Sequence, residues 1–184
     1  YISIIDAETE EELARFANSE FKDLGASYIN CGGNLANMVW YKADLTEFMG
    51  RTLKIRLVDN STYNLGFLTA DSFVTYYKTT NCIPTDAKLA IDIKSTSNTD
   101  SVLGENNEYQ VLNGDFETGD LTGWTLNKTS GSTEIGSVSS QDVFWRNNDK
   151  SYNKDGNYLF TGIEDVLGSM EGAKGTLTSS TFKV

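Results

Sequence analysis

The chain opens on period-two alternation. In Tyr1-Ile2-Ser3-Ile4-Ile5-Asp6-Ala7 and again in Leu13-Ala14-Arg15-Phe16, apolar positions recur at strand spacing, and the acidic residues 8–12 between them read as a turn. A hairpin is expected there; the Glu and Ala content of residues 7–17 makes a helix the competing element. Residues 23–37 are rich in Gly and Asn and read as loop. A strand follows over 38–45, then one short helical turn over 46–50, with Asp44 or Thr46 as its cap and Gly50 as its stop. Leu53-Lys54-Ile55-Arg56-Leu57-Val58 alternates cleanly until Asp59-Asn60-Ser61 ends it, and residues 67–77 give a further strand.

The pattern then changes. Residues 80–107 are polar and rich in Ser, Thr, Asn and Asp, broken by the apolar patch Leu89-Ala90-Ile91-Asp92-Ile93, which reads as a linker holding one short strand. Strand-like text resumes over 109–117 and at Trp124-Thr125-Leu126, gives way to Ser- and Gly-rich residues 128–140, and returns at 158–162 and 177–184. The expected organisation is two β-rich halves, 1–79 and 108–184, joined by the linker 80–107, with no direct repeat between them. Tyr1 and Val184 both fall inside apolar alternations, so the chain is expected to be an excerpt of a longer protein.

Composition narrows the chemistry. Nine Tyr and nine Phe in 184 residues suit strands. A formal net charge of −11 argues against a nucleic-acid partner and against anionic membrane surfaces, because neutralising phosphates requires a basic face. No apolar run reaches membrane-spanning length. Histidine is absent, which removes the commonest general base and every Ser–His or Cys–His nucleophile pair. Cys31 and Cys82 lack any C-x-x-C spacing, so a zinc site is not supported; they read as two unrelated thiols, with a disulfide as the alternative.

One segment is distinctive: Val111-Leu112-Asn113-Gly114-Asp115-Phe116-Glu117-Thr118-Gly119-Asp120-Leu121-Thr122-Gly123-Trp124. It resembles the opening of galactose-binding-like jelly-roll modules, and Gly156-Asn157-Tyr158-Leu159-Phe160 and Gly175-Thr176-Leu177-Thr178-Ser179-Ser180-Thr181-Phe182 fit the same family. The first half resembles the other end of such a module, through residues 37–45, 55–60 and 68–77. The likeness is greatest to modules appended to bacterial levanases and fructanases. It implies an all-β jelly-roll sandwich, secreted or at the cell surface. The function it implies is non-catalytic: targeting a glycoside hydrolase to a polysaccharide such as levan, with neighbouring modules of the same polypeptide as further partners. The order of the halves is inverted, an ending before a beginning. Either the chain spans the junction of two tandem modules, as its ends favour, or the halves pack together as a circularly permuted sandwich. Contact between Phe116 and Phe73 would mark the second arrangement.

The resemblance also implies a structural Ca²⁺, to which the Glu of the opening Phe-Glu and an Asp on the last strand contribute; here these are Glu117 and Asp71, with two solvated acids at strand ends as the plain alternative. Trp124 is expected in the core, and of Trp40 and Tyr41, on opposite faces of one strand, only one can be. Aromatic faces stack on sugar rings, so Trp145 and Arg146, in an irregular polar stretch, are the first candidates for ligand contact. Asp142, Asn147 and Asn148 would add polar contacts, as would Tyr63 and Asn64, though loop Asn and Asp are ordinarily turn formers. Two rival functions remain: a structural or adhesive spacer that binds no sugar, and a fragment of a glycoside hydrolase, which would need two carboxylates facing across a cleft.

Overall fold

A computed structural model of the protein describes residues 1–16, 40–60, 68–75, 88–89, 92–93, 109–130, 132, 134–141, 154–162 and 173–184. The first two strands, β1 (Ile2–Asp6) and β2 (Glu12–Phe16), form the antiparallel hairpin that alternation predicts. Asp6 decides against the helix. Its Oδ1 accepts the N–H groups of Glu8 and Thr9, both at 2.9 Å, and Glu10 closes the turn at φ +59°.

After the short pair member β3 (Tyr41–Lys42), a single 3₁₀ turn spans Thr46–Phe48, with Asp44 Oδ1 accepting from Thr46 N at 3.0 Å and Gly50 leaving it at φ +83°. It buries Phe48. The longest strand is β4 (Thr52–Asp59), whose Leu53, Ile55, Leu57 and Asp59 are buried while the alternate residues are half-exposed. Lys54 and Arg56, on the alternate face, both form ion pairs with Glu10 in the hairpin turn.

Three stretches depart from the alternation. Of the strand expected over 67–77, the described residues 68–75 hold β5 (Thr69–Ala70), ending where Asp71 Oδ1 takes the N–H of Ser72, which turns to φ +54°. In the stretch read as linker lie two strands, β6 (Lys88–Leu89), parallel to β3, and β7 (Asp92–Ile93), beside β2. Residues 109–123, read as strand-like at their start, are a series of turns, with Asn113 and Phe116 at φ +53° and +57°. The strands then continue as β8 (Trp124–Lys128), β9 (Ser137–Ser139), β10 (Leu159–Thr161), β11 (Gly175–Ser179) and β12 (Phe182–Lys183).

The architecture is all-β and sandwich-like. The large sheet runs β7-β2-β1-β4-β11-β8, with β12 continuing beside β4, and the smaller runs β5-β10-β9. Both sheets are antiparallel and mix strands from the two halves: β4 of the first is bracketed by β1 and by β11 of the second, and β10 pairs β5. Between Thr178↔Arg56 and Phe182↔Leu53 the second strand carries one extra residue, a bulge. Ser179 repairs the ladder there, its Oγ accepting from Ile55 N at 2.9 Å in a buried position. One core receives Ile4, Leu53, Leu57, Leu177 and Phe182 from the large sheet and Ala70 and Phe160 from the small one, with Phe116 and Trp124 beside them.

Candidate functional site

The turns over 113–123 are built around Asn113. Its Nδ2 donates to the carbonyls of Asp120 (3.0 Å) and Thr122 (3.1 Å), its Oδ1 accepts from Thr118 N (3.1 Å), and its carbonyl accepts the indole N–H of Trp124 at 2.9 Å. Trp124 is buried, as expected of it. Its ring meets Phe73 and Phe116 at centroid distances of 5.2 and 5.1 Å. Gly114 must be glycine here, because a Cβ would come within 2.5 Å of the Phe73 carbonyl oxygen.

Those turns present Glu117 to the residues 154–158. Glu117 Oε1 accepts from Asn157 N at 2.6 Å and Tyr158 N at 2.8 Å, and Oε2 from Asn157 Nδ2 at 2.8 Å. Gly156, at φ +70°, lets the backbone in: a Cβ would fall 2.5 Å from Oε1. The Tyr158 and Asn157 donors hold the Glu117 carboxyl below its usual range. From the other half, Asp71 Oδ2 accepts from Asp155 N at 2.9 Å. The two acids singled out by sequence therefore hold the same turn, Asp71 at Asp155 and Glu117 at Asn157 and Tyr158.

Their environments differ. Asp71 is half-buried, and burial pushes its carboxyl up to about 6; the N–H groups of Asp155 and Ser72 oppose this, and the charges of Asp155 and Glu117 add to it. Two like charges thus bear on a partly desolvated carboxylate. A hard divalent cation would relieve that repulsion, and carboxylate and backbone oxygens are its preferred donors, though each carboxylate oxygen of Asp71 and Glu117 already accepts an N–H group. Among the described residues no group of three or more His, Cys, Asp or Glu gathers around a common point, so carbonyl oxygens would have to complete such a site. Lys154 lies close enough to lower the Glu117 carboxyl further, and its Nζ donates to the Gly156 carbonyl at 2.8 Å.

The candidates for sugar contact, Trp145, Arg146, Asp142, Asn147 and Tyr63, with Asn148 and Asn64, lie outside the described residues, as do Cys31 and Cys82. Trp40 is 37% exposed, while Tyr41 packs edge-on against Phe16 at 5.8 Å. Sequence reasoning gave no role to Asn113, Asp155 or Asn157. The signal for the last two is the turn text Lys154-Asp155-Gly156-Asn157, whose backbone N–H groups need acceptors. No helix among the described residues is long and apolar enough to cross a membrane.

Compared with protein-family models, with curated proteins and with solved structures, the chain matches none of them.

Proposed function

We propose that the chain is a secreted, non-catalytic carbohydrate-binding module of the galactose-binding-like jelly-roll type, its two halves assembled in permuted order. Its role is to hold a glycoside hydrolase on a polysaccharide, fructan of the levan kind being the preferred ligand by resemblance. The observation that supports this most is how the distinctive segment is used. Asn113 organises the turns, Phe116 and Trp124 enter the core, and Glu117 clasps the 154–158 turn together with Asp71. The residues that carry the resemblance are thus those that hold the turns, the core and the 154–158 turn together.

Glu117 and Asp71, with neighbouring carbonyl oxygens, would hold a structural Ca²⁺. Such an ion would supply positive charge to offset the carboxylates of the two halves, and its binding would add to the stability of the folded chain. Sugar contact falls to Trp145 and Arg146, with Asp142, Asn147 and Tyr63 around them. Weak single contacts gain from tandem presentation beside other modules.

Affinity electrophoresis of the full chain through gels containing levan, inulin or galactan, with Ca²⁺ and with chelator, tests the reading. Retardation by levan that is lost on Trp145→Ala supports it. Free migration through every glycan favours a structural spacer, and hydrolysis of the glycan favours an enzyme fragment.

A further inference from the structure

Asn113-Gly114 is the one Asn-Gly pair in the sequence, and the fold demands both residues. Gly114 is fixed by its approach to the Phe73 backbone, with Phe73 N donating to the Gly114 carbonyl at 2.8 Å. Asn113 is fixed by its left-handed backbone, φ +53°, and by a carboxamide that uses both N–H bonds and its oxygen. Asn-Gly is also the pair most prone to spontaneous loss of the side-chain amide, since glycine leaves its own N–H least hindered. Packing therefore places a chemically labile bond where segments of the two halves meet.

We propose that Asn113 is a latent deamidation site, protected while the 113–124 turns are closed and converted irreversibly when they open. In the reaction the Gly114 nitrogen attacks Asn113 Cγ, forming a C–N bond. The Cγ–Nδ2 bond breaks, the attacking nitrogen's proton leaves with the amide, and ammonia departs. Water then opens the resulting succinimide to aspartate or isoaspartate. Closed, the carboxamide is tethered by its hydrogen bonds to Asp120, Thr122 and Thr118, which restrict the side-chain and backbone rotations the attack requires. Opening releases all three together.

Reclosure after reaction is impaired. A carboxylate in place of the amide faces the Asp120 and Thr122 carbonyls with no donor to offer, and the isoaspartate form also lengthens the backbone beneath the Trp124 anchor. The modification would thus act as a record of how often the junction has opened.

The test is peptide mapping by mass spectrometry of the full chain, aged in mildly alkaline buffer with and without denaturing urea. An isoaspartate-specific methyltransferase assay identifies the product. Conversion at Asn113 is expected to be at least about tenfold slower in the native chain, the factor that an opening free energy of ~1.4 kcal/mol produces. Trp124→Phe, which removes the indole N–H to the Asn113 carbonyl, should raise the native rate toward the urea rate. Asn113→Asp should lower the Tm by at least about 2–4 °C. Equal rates with and without urea would overturn the proposal, as would an unchanged Tm in Asn113→Asp.

Discussion

Phe73 and Phe116 meet edge to face, with ring centroids 6.2 Å apart and planes at 80°, although one belongs to the first half of the chain and the other to the second. Phe116 also lies 6.0 Å from Phe160 of the smaller sheet and is fully buried. A single ring therefore ties the distinctive turns to both sheets. Phe116→Ala should cost about 3–5 kcal/mol, the range for deleting a buried aromatic in a packed core. Urea denaturation is the measurement: the midpoint falls with the slope unchanged and the transition still single. A loss below about 1 kcal/mol would mean that the ring is not in the core.

Ser179 offers a sharper test of the strand junction. Its hydroxyl accepts the buried Ile55 N–H at the bulge and donates to the Ser180 carbonyl at 2.6 Å. Ser179→Ala leaves that N–H without an acceptor. The expected cost is about 1–3 kcal/mol, the penalty for a buried donor left unpaired. Hydrogen exchange at the Ile55 amide should accelerate more than at its neighbours in β4; uniform acceleration along β4 would contradict the local role of Ser179.

Asp71 gives the stability a distinctive pH dependence. Its carboxyl sits at about 6 in the folded chain against an ordinary 3.8, so between those values the folded state holds more of its proton than the unfolded state does. Its contribution is fully present below the lower value and is lost as pH rises through about 6. Asp6, held low first by the Thr9 N–H and then by that of Glu8, works in the opposite sense. It stabilises above its unfolded value and loses this only in stronger acid. With chelator present, Tm should therefore fall as pH rises through about 6 in the parent chain, and Asp71→Asn should flatten that segment alone. Adding Ca²⁺ should raise Tm at neutral pH in the parent but not in Asp71→Asn. Identical pH profiles for parent and variant would contradict the assignment.

The legible parts of the fold are those where one face is buried. In β4 and β11 buried and half-buried positions alternate, so the core imposes the side-chain period, and in β4 the apolar residues Leu53, Ile55 and Leu57 follow it and can be read directly. Over 68–75 the same kind of text misleads, because Asp71 and Ser72 hydrogen-bond locally and turn the chain out of the ladder. β9, Ser137-Val138-Ser139, carries a single apolar residue, and its pairing with β10 supplies what sequence does not show. Of the candidate site, Glu117 and Asp71 were legible as acids of interest through resemblance. Their common partner was not, since Asp155, Asn157 and Tyr158 act mainly through backbone N–H groups, which every non-proline residue carries, with the Asn157 carboxamide adding one further bond. The inverted order of the halves left two arrangements open. The pairing of β4 with β11 and of β5 with β10 is a tertiary fact that no local pattern encodes.

The central claim is that residues from both halves form one cooperative unit in which Asp71 and Glu117 hold the same turn. Its most direct test is to place a protease site between residues 98 and 104, cleave it, and follow the products by size exclusion and thermal unfolding. Expected is co-elution of the two fragments as one species of the intact size, melting in a single transition that is lost when Phe116→Ala is added. Separation of the fragments on the column, each with its own melting transition, would contradict the claim and mean two independent half-structures joined only by the chain between them.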